Sequence, residues 1–307
     1  MNQIENIASK HLGKAGDGSV VKPYITPDFV DSTLLVGIPR ELNRHYYNIL
    51  STGVGAEGVD VWNAYEVSFL LKNGYPISCY VRIVYDSTSP NIVESKSIKL
   101  YLNSFNMMRV QTLTIQDGIE KVKTRIIQDL SNVLGTVPKV GVHLAYSDLV
   151  MATGFNLFTQ LETVIDHTRL KFNTFNESPN LILVDKNTKE FKVTTTLLRS
   201  NCRVTNQPDW GDVYVSMICE NGTPTFESFA QYIVSMRKQN HFHEEICECI
   251  YKRLYDIFAP QHLMVACLYT RRGGIDINPV RYSSYEFFEQ NLPDFSSTDV
   301  IMKTVRQ

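Results

Sequence analysis

Apolar positions along this chain recur first every second residue and then every third or fourth, and that change of period happens twice. VWNAYEVSFLL (61–71) and ISCYVRIVY (77–85) are rich in β-branched and aromatic residues. They flank KNGYP, whose pair Asn73-Gly74 favours a tight turn, so the text predicts a long β-hairpin. IQDGIEKVKTRIIQDLSNVLG (115–135) instead sets Ile119, Val122, Ile126, Leu130 and Val133 at helical spacing and stops at Gly135, a residue suited to a left-handed cap. An amphipathic helix is expected there, and KVGVHLAY after it reads as a further strand.

The second half repeats the order. DVYVSMI (212–218) reads as a strand, Asn221-Gly222 as a turn, FESFAQYIVSMRKQ and EEICECIYKRLYDIF as two helices, and HLMVACLYT (262–270) as a closing strand. Phe226, Phe229, Ala230 and Ile233 share one helical face, and Ile250, Leu254, Ile257 and Phe258 share another; both stripes are expected to be core. The plan implies an α+β protein of two modules, each an antiparallel sheet with helices packed on one face. The expected boundaries are a flexible arm at 1–32, a first module at 33–150, a connection at 151–190 and a second module at 191–307.

Composition narrows the function. The 307 residues are 43% hydrophobic and 20% charged, an ordinary globular balance with ample core. The longest apolar runs, such as LMVACLY, fall well short of the ~18 residues of a membrane span. The amino terminus lacks the apolar stretch of a secretory signal, which predicts a cytoplasmic protein. Thirty basic against 32 acidic residues give a net charge of -2, without the positive field that nucleic acid attracts. A small-molecule ligand is expected, and neither nucleic acid nor membrane. The six cysteines are too scattered for a disulfide framework in a reducing compartment.

Several motifs carry candidate chemistry. GVGAEG (53–58) has the spacing of a dinucleotide fingerprint, but β-like text follows it where a helix must begin, so it reads as a loop. HFHEEICEC (241–249) could set His243 and Cys247 on one helical face as metal ligands, while first-turn acids are equally explained by the helix dipole. RRGG (271–274) joins two guanidinium groups to a flexible pair that admits a phosphate, or forms a solvated turn. In ESKSIKLYLNSF, Glu94, Ser95, Lys96 and Lys99 cluster at the edge of the β-rich text. In SNCRVTNQPDWG, Cys202 is either a nucleophile or a small buried side chain, and the residues alone leave both open.

Together, ESKSIKLY, SNCRVTNQPDWG, FHEE and YTRRGGIDINP closely resemble the NADPH-dependent nitrile reductases that convert 7-cyano-7-deazaguanine to its aminomethyl product in queuosine biosynthesis. LLVGIPRELNR (34–44), the terminal VRQ and the length agree with the long, two-module form of that family. The likeness is weakest over 136–185. The resemblance implies the tunnelling fold (T-fold), tandem ββααββ-type modules that associate into a barrel, with NADPH as cofactor, no metal and a homodimer.

The resemblance also implies roles. Cys202 matches the nucleophile that makes a thioimide with the nitrile carbon, which accepts hydride more readily than the nitrile does. Asp209 matches the acid/base that takes the thiol proton and passes it to the nitrile nitrogen, and His243 matches the histidine that supplies protons. Glu94 and Glu244 match the two purine anchors, one in each module, with Phe242 against the ring and Ser95 beside Glu94. Lys96, Lys99, Arg271, Arg272 and Gly273 are the candidates for NADPH. Two rival readings are a zinc-dependent cyclohydrolase-like T-fold enzyme acting on a purine or pterin, and a non-catalytic purine-binding module.

Overall fold

In the computed structural model, residues 27, 29–49, 53–74, 76–144, 150–151, 157–166, 169–203, 208–301 and 307 are described. Most of the expected arm, at 1–26 and 28, lies outside the described residues, as do 204–207 next to Cys202. The chain divides into two compact units. One comprises Met1–Leu42, Val61–Leu149 and Arg271–Asp276, the other Asn43–Asp60, Val150–Thr270 and Ile277–Gln307. Both are α+β with mainly antiparallel sheets, as the pattern of periods predicts. Among the described residues, no helix is long and apolar enough to cross a membrane.

In the first unit, strand β1 (Gly37–Pro39) forms a ribbon with β4 (Asn91–Val93). The expected hairpin is β2 (Gly58–Leu70) and β3 (Pro76–Asp86), and β5 (Lys139–Leu144) adds antiparallel to β3, from Cys79↔Leu144 to Val84↔Lys139. Helix α1 (Ser95–Asn103) and the long α2 (Ile115–Leu134) lie between β4 and β5 in the chain. From α2, Ile119, Val122, Ile126, Leu130 and Leu134 are buried, each side chain contributing roughly 1.5–3 kcal/mol. Val133 departs from the expected stripe and is half-buried. The core face advances by fours from Val122 to Leu134, and Val133 turns toward Gly37, where a Cβ would lie 3.0 Å from its carbonyl oxygen. Gly118 lets the helix approach β2 closely, since a Cβ there would meet the Phe69 ring at 2.7 Å. Gly135 supplies the expected cap at φ 72°.

In the second unit, β6 (Glu190–Thr195) and β7 (Arg199–Cys202) share one edge of β8 (Pro208–Ile218), with β9 (Asn240–His241) beyond β7. Helices α3 (Phe226–Ser235) and α4 (His243–Phe258) precede β10 (His262–Tyr269) and β11 (Ile275–Tyr282), and α5 (Tyr285–Asn291) follows. Val213, Val215 and Met217 of β8 face the helices, opposite Cys267, Val265 and Leu263 of β10, and join Phe229, Ile233, Ile246, Ile250 and Leu254 in one core. Two expected core positions lie outside it. Phe226 opens α3 and is 37% exposed, and Ile257 is 38% exposed because the buried face steps from Ile250 to Leu254 to Phe258. Beneath α4 is a buried ionic cluster: Arg281 pairs with Asp60 at 2.8 Å and with Glu248 at 2.9 Å, and Arg44 meets Glu248 at 2.8 Å. Two guanidinium groups against two carboxylates leave this cluster neutral, which is what lets the charges stay out of water.

Candidate active site

Cys202 faces the site because of one extra residue in the sheet edge. From Thr195 to Arg199 the edge advances four residues, while β8 advances only three, from Val213 to Trp210. Side chains alternate along a strand, so this bulge exchanges the two faces. In β6 the odd positions Phe191 and Val193 point to the core, and beyond the bulge the even positions Leu198, Ser200 and Cys202 do. Ser200 pairs with Asp209, which continues the core-facing row of β8, so Ser200, Cys202 and Asp209 share a face. Cys202 also pairs in parallel register with His241 of β9, and α4 starts two residues later.

Among the six cysteines, Cys202 alone is not buried. Burial pushes the thiol of Cys79 up to about 11, that of Cys249 up to about 12 and that of Cys267 well above its ordinary value. Cys219 donates to the Phe258 carbonyl at 3.2 Å, and Cys247 to the carbonyls of Val265 and Pro279 at 3.4 and 3.5 Å. The thiol of Cys247 is thereby engaged within the core, away from the metal-ligand part that its spacing from His243 allowed.

Asp209 is 4% exposed, and its Oδ2 lies 3.4 Å from Nε2 of His243, the first residue of α4. The imidazole stacks on Tyr269 with 3.8 Å between centroids and 12° between planes, which fixes the ring's orientation. Its Nδ1 is buried with no hydrogen-bond partner among the described residues, and the buried hydroxyls of Ser200 and Tyr269 lie close to one another. A buried imidazole nitrogen without a partner leaves a polar group available to a substrate beside the Asp209 carboxylate. The Tyr269 phenol is held well above its ordinary pKa, by burial first and then by Cys267 and Asp209, so it remains a neutral donor. Glu244 is 3% exposed in the first turn of α4, beside Phe242.

In the first unit, Glu94 caps α1. Its Oε2 accepts from the Ser97 N–H at 2.7 Å, and its Oε1 accepts from the Lys96 N–H at 2.9 Å and the Ser95 hydroxyl at 3.2 Å. Burial raises the pKa of its carboxyl, and the two backbone donors pull it back. Two carboxylate oxygens offer about four acceptor sites, so the cap leaves capacity for a ligand. Lys96 is exposed in the first turn of α1, and Lys99, one turn on, reaches the turn at Arg271–Ile275. There Gly273 is at φ 56°, and a Cβ on it would collide with the Lys99 ammonium. Arg271 sits 3.5 Å above the Tyr65 ring, and Arg272 closes the turn through backbone bonds to Ile275. Lys99, Gly273, Glu66 and Asn103 line a small depression open to solvent. Two cations beside a glycine turn fit the phosphates of a nucleotide cofactor.

Comparison with known proteins shows the family. The family described as nitrile reductase, 7-cyano-7-deazaguanine-reductase N-term matches residues 27–144, and that described as QueF-like protein matches 208–286. An NADPH-dependent 7-cyano-7-deazaguanine reductase of Rickettsia felis is 36% identical over 85% of this chain and 90% of its own. The chain belongs to the 7-cyano-7-deazaguanine reductase family. A member of that name from Legionella pneumophila is 35% identical over 83% of this chain and 85% of its own. The apo crystal structure of an archaeosine synthase, QueF-Like, is 20% identical over 31% of this chain and 94% of that one, with a TM-score of 0.29. Cys202 lies between the two segments that match the reductase family models. Of the residues expected from the sequence, the second unit brings together Cys202, Asp209, Phe242, His243 and Glu244 on neighbouring ends of β7, β8 and α4, and the first unit brings Lys99, Arg271 and Gly273 together. Sequence reasoning missed Tyr269, hidden in a hydrophobic strand, and Glu245, read as one of several first-turn acids.

Proposed function

We propose that this chain reduces the nitrile of 7-cyano-7-deazaguanine to the aminomethyl group of 7-aminomethyl-7-deazaguanine, in queuosine biosynthesis, through a covalent thioimide on Cys202. The observation that carries the covalent step is that five thiols are buried and the sixth shares a sheet face with a buried carboxylate. A thiol of ordinary pKa ~8.5 is only a few per cent ionised at neutral pH, so it needs a base. The Asp209 carboxylate, on the same sheet face, takes the Cys202 proton as general base. Sulfur bonds to the nitrile carbon as that proton passes to the nitrile nitrogen, giving the thioimide. When bound, NADPH supplies hydride, in two equivalents taken in turn. After the first, carbon carries sulfur, hydrogen and an amino group. The nitrogen lone pair then expels Cys202 as thiolate and leaves an imine, and the second reduction gives the amine. His243, held by Tyr269 and facing Asp209, provides protons to nitrogen.

Glu94 and Glu244 accept the adjacent N–H donors of the guanine-like edge, Ser95 supports Glu94, and Phe242 packs on the ring. Lys96, Lys99, Arg271, Arg272 and Gly273 would hold the NADPH phosphates. The protein works in the cytoplasm as a homodimer, in line with its composition and with the need to cover sheet edges. No observation favours the cyclohydrolase-like or the non-catalytic reading.

Mixing the protein with the nitrile and NADPH is expected to oxidise two cofactors per nitrile, read at 340 nm against product. No oxidation, or one equivalent, refutes this reading. Glu94→Gln and Glu244→Gln are each expected to weaken nitrile binding by about 1.5–3 kcal/mol, because an amide puts a donor against N–H groups. Calorimetric titration of the Cys202→Ala background measures this, and unchanged affinity removes the anchoring scheme.

A further inference from the structure

Beside Cys202 lies a buried set of side chains that the chemistry above does not use. One oxygen, Oε2 of Glu245, accepts from Nη1 of Arg203 at 2.6 Å and from the Phe242 backbone N–H at 2.9 Å, and lies 3.1 Å from Nδ1 of His241. Nε2 of His241 in turn lies 3.0 Å from the Tyr47 hydroxyl. The Arg203 and Glu245 side chains are 11% and 6% exposed, so the pair is shielded from solvent, where such pairs hold geometry best.

The positions of these groups give the set its meaning. Arg203 directly follows the nucleophile at the end of β7. His241 is the register partner of Cys202. Phe242 caps α4, and Glu245 belongs to the same first turn as His243 and Glu244. Phenylalanine has no side-chain acceptor for the helix N-terminus, so this cap works only in reverse, with the Glu245 carboxylate taking the cap residue's own N–H. That leaves the carboxylate facing the β7 edge, where Arg203 meets it.

We propose that Glu245 and Arg203 are positioning residues, a two-residue tie that fixes the distance of the Cys202 sulfur from the nitrile held by the first turn of α4. The tie touches neither substrate nor reacting atoms and acts through Cys202. It rests on the reading of Cys202 as nucleophile. Binding of the purine depends on α4 itself, whereas attack depends on where β7 ends relative to α4. Loosening the tie therefore slows bond formation and leaves affinity in place. Displacement of a nucleophile by a fraction of an ångström is enough for a loss of roughly tenfold or more.

The experiment follows adduct formation by intact mass, with the nitrile and without NADPH, in the full-length protein, in Arg203→Met, in Glu245→Gln and in the double variant. Nitrile affinity is measured in parallel on Cys202→Ala and on Cys202→Ala/Arg203→Met. The expected result is an adduct rate about tenfold or more lower in each single variant, a double variant no slower than the worse single, and equal affinities in the two alanine backgrounds. A purely structural pair would lower the melting temperature while folded protein reacted at the original rate, and that result overturns the proposal. Affinity falling in step with rate overturns it also. Should Arg203→Met not fold, Glu245→Gln alone carries the test, because it weakens the acceptor that Nη1 of Arg203 meets, and an undiminished rate there counts against the tie. Absence of an adduct in the unmodified protein instead sinks the covalent reading, so the two failures are told apart.

Discussion

Cys202→Ala is expected to abolish both the adduct with 7-cyano-7-deazaguanine and NADPH oxidation, with turnover down by at least about 10³-fold. No other thiol can substitute. Cys79, Cys249 and Cys267 are buried with raised pKa values, and Cys219 and Cys247 donate to carbonyl groups inside the core. Nor can NADPH reduce the nitrile directly at a useful rate, because an unactivated nitrile carbon is a poor hydride acceptor. Folding should be little affected, since a half-buried position at a strand end loses little packing when one sulfur is removed. Intact mass spectrometry reads the adduct and absorbance at 340 nm reads turnover. An adduct on Cys202→Ala, or turnover within tenfold of the original, would refute covalent catalysis at this residue. Cys202→Ser is expected to be nearly as inactive, because a hydroxyl ionises far less readily than a thiol near a carboxylate base.

The parts of the fold that were legible in the sequence are those set by period alone. The hairpin around Asn73-Gly74, the helix ending at Gly135 and the core stripes of α3 and α4 follow from spacing, since burial selects apolar residues at 2.0 or 3.6 residues per turn. Spacing fails at the margins of a stripe. Val133, Phe226 and Ile257 have core chemistry but lie at an edge of their helix, where a neighbour decides which residue is covered. The bulge between β6 and β7 left no mark, because Thr196 and Leu197 are ordinary strand residues and only pairing with β8 reveals that one of them is extra. Yet that residue turns Cys202 toward Asp209. Glu94 was picked out as an edge residue, and its capping of α1 was not, since glutamate is not among the preferred N-cap residues. Tyr269 and Glu245 were invisible as site residues for a shared reason. Their part is to hold other groups, and a residue that orients a neighbour across the fold needs no motif around it.

Asp209→Asn is expected to slow adduct formation by about 10²–10⁴-fold while leaving nitrile affinity within a factor of about two. The amide has nearly the shape of the carboxylate and fits the same buried place on β8, but it takes no proton from Cys202 and has none to give the nitrile nitrogen. It also removes the negative charge that Nε2 of His243 faces at 3.4 Å, so later proton delivery to nitrogen weakens in the same variant. The two effects separate by timing. Without NADPH only the Cys202 step is possible, and a slowed adduct assigns the first proton transfer to Asp209. Turnover lost by the same factor places all of the loss in that step, whereas a larger loss places part of it at the later protonations through His243. Asp209→Glu tests geometry rather than charge: one more methylene at this buried position keeps the base but displaces its oxygens, and an intermediate rate is expected. Adduct formation in Asp209→Asn at the original rate would show that the thiol loses its proton to another group, and the path from Cys202 through Asp209 to the nitrile nitrogen would have to be abandoned.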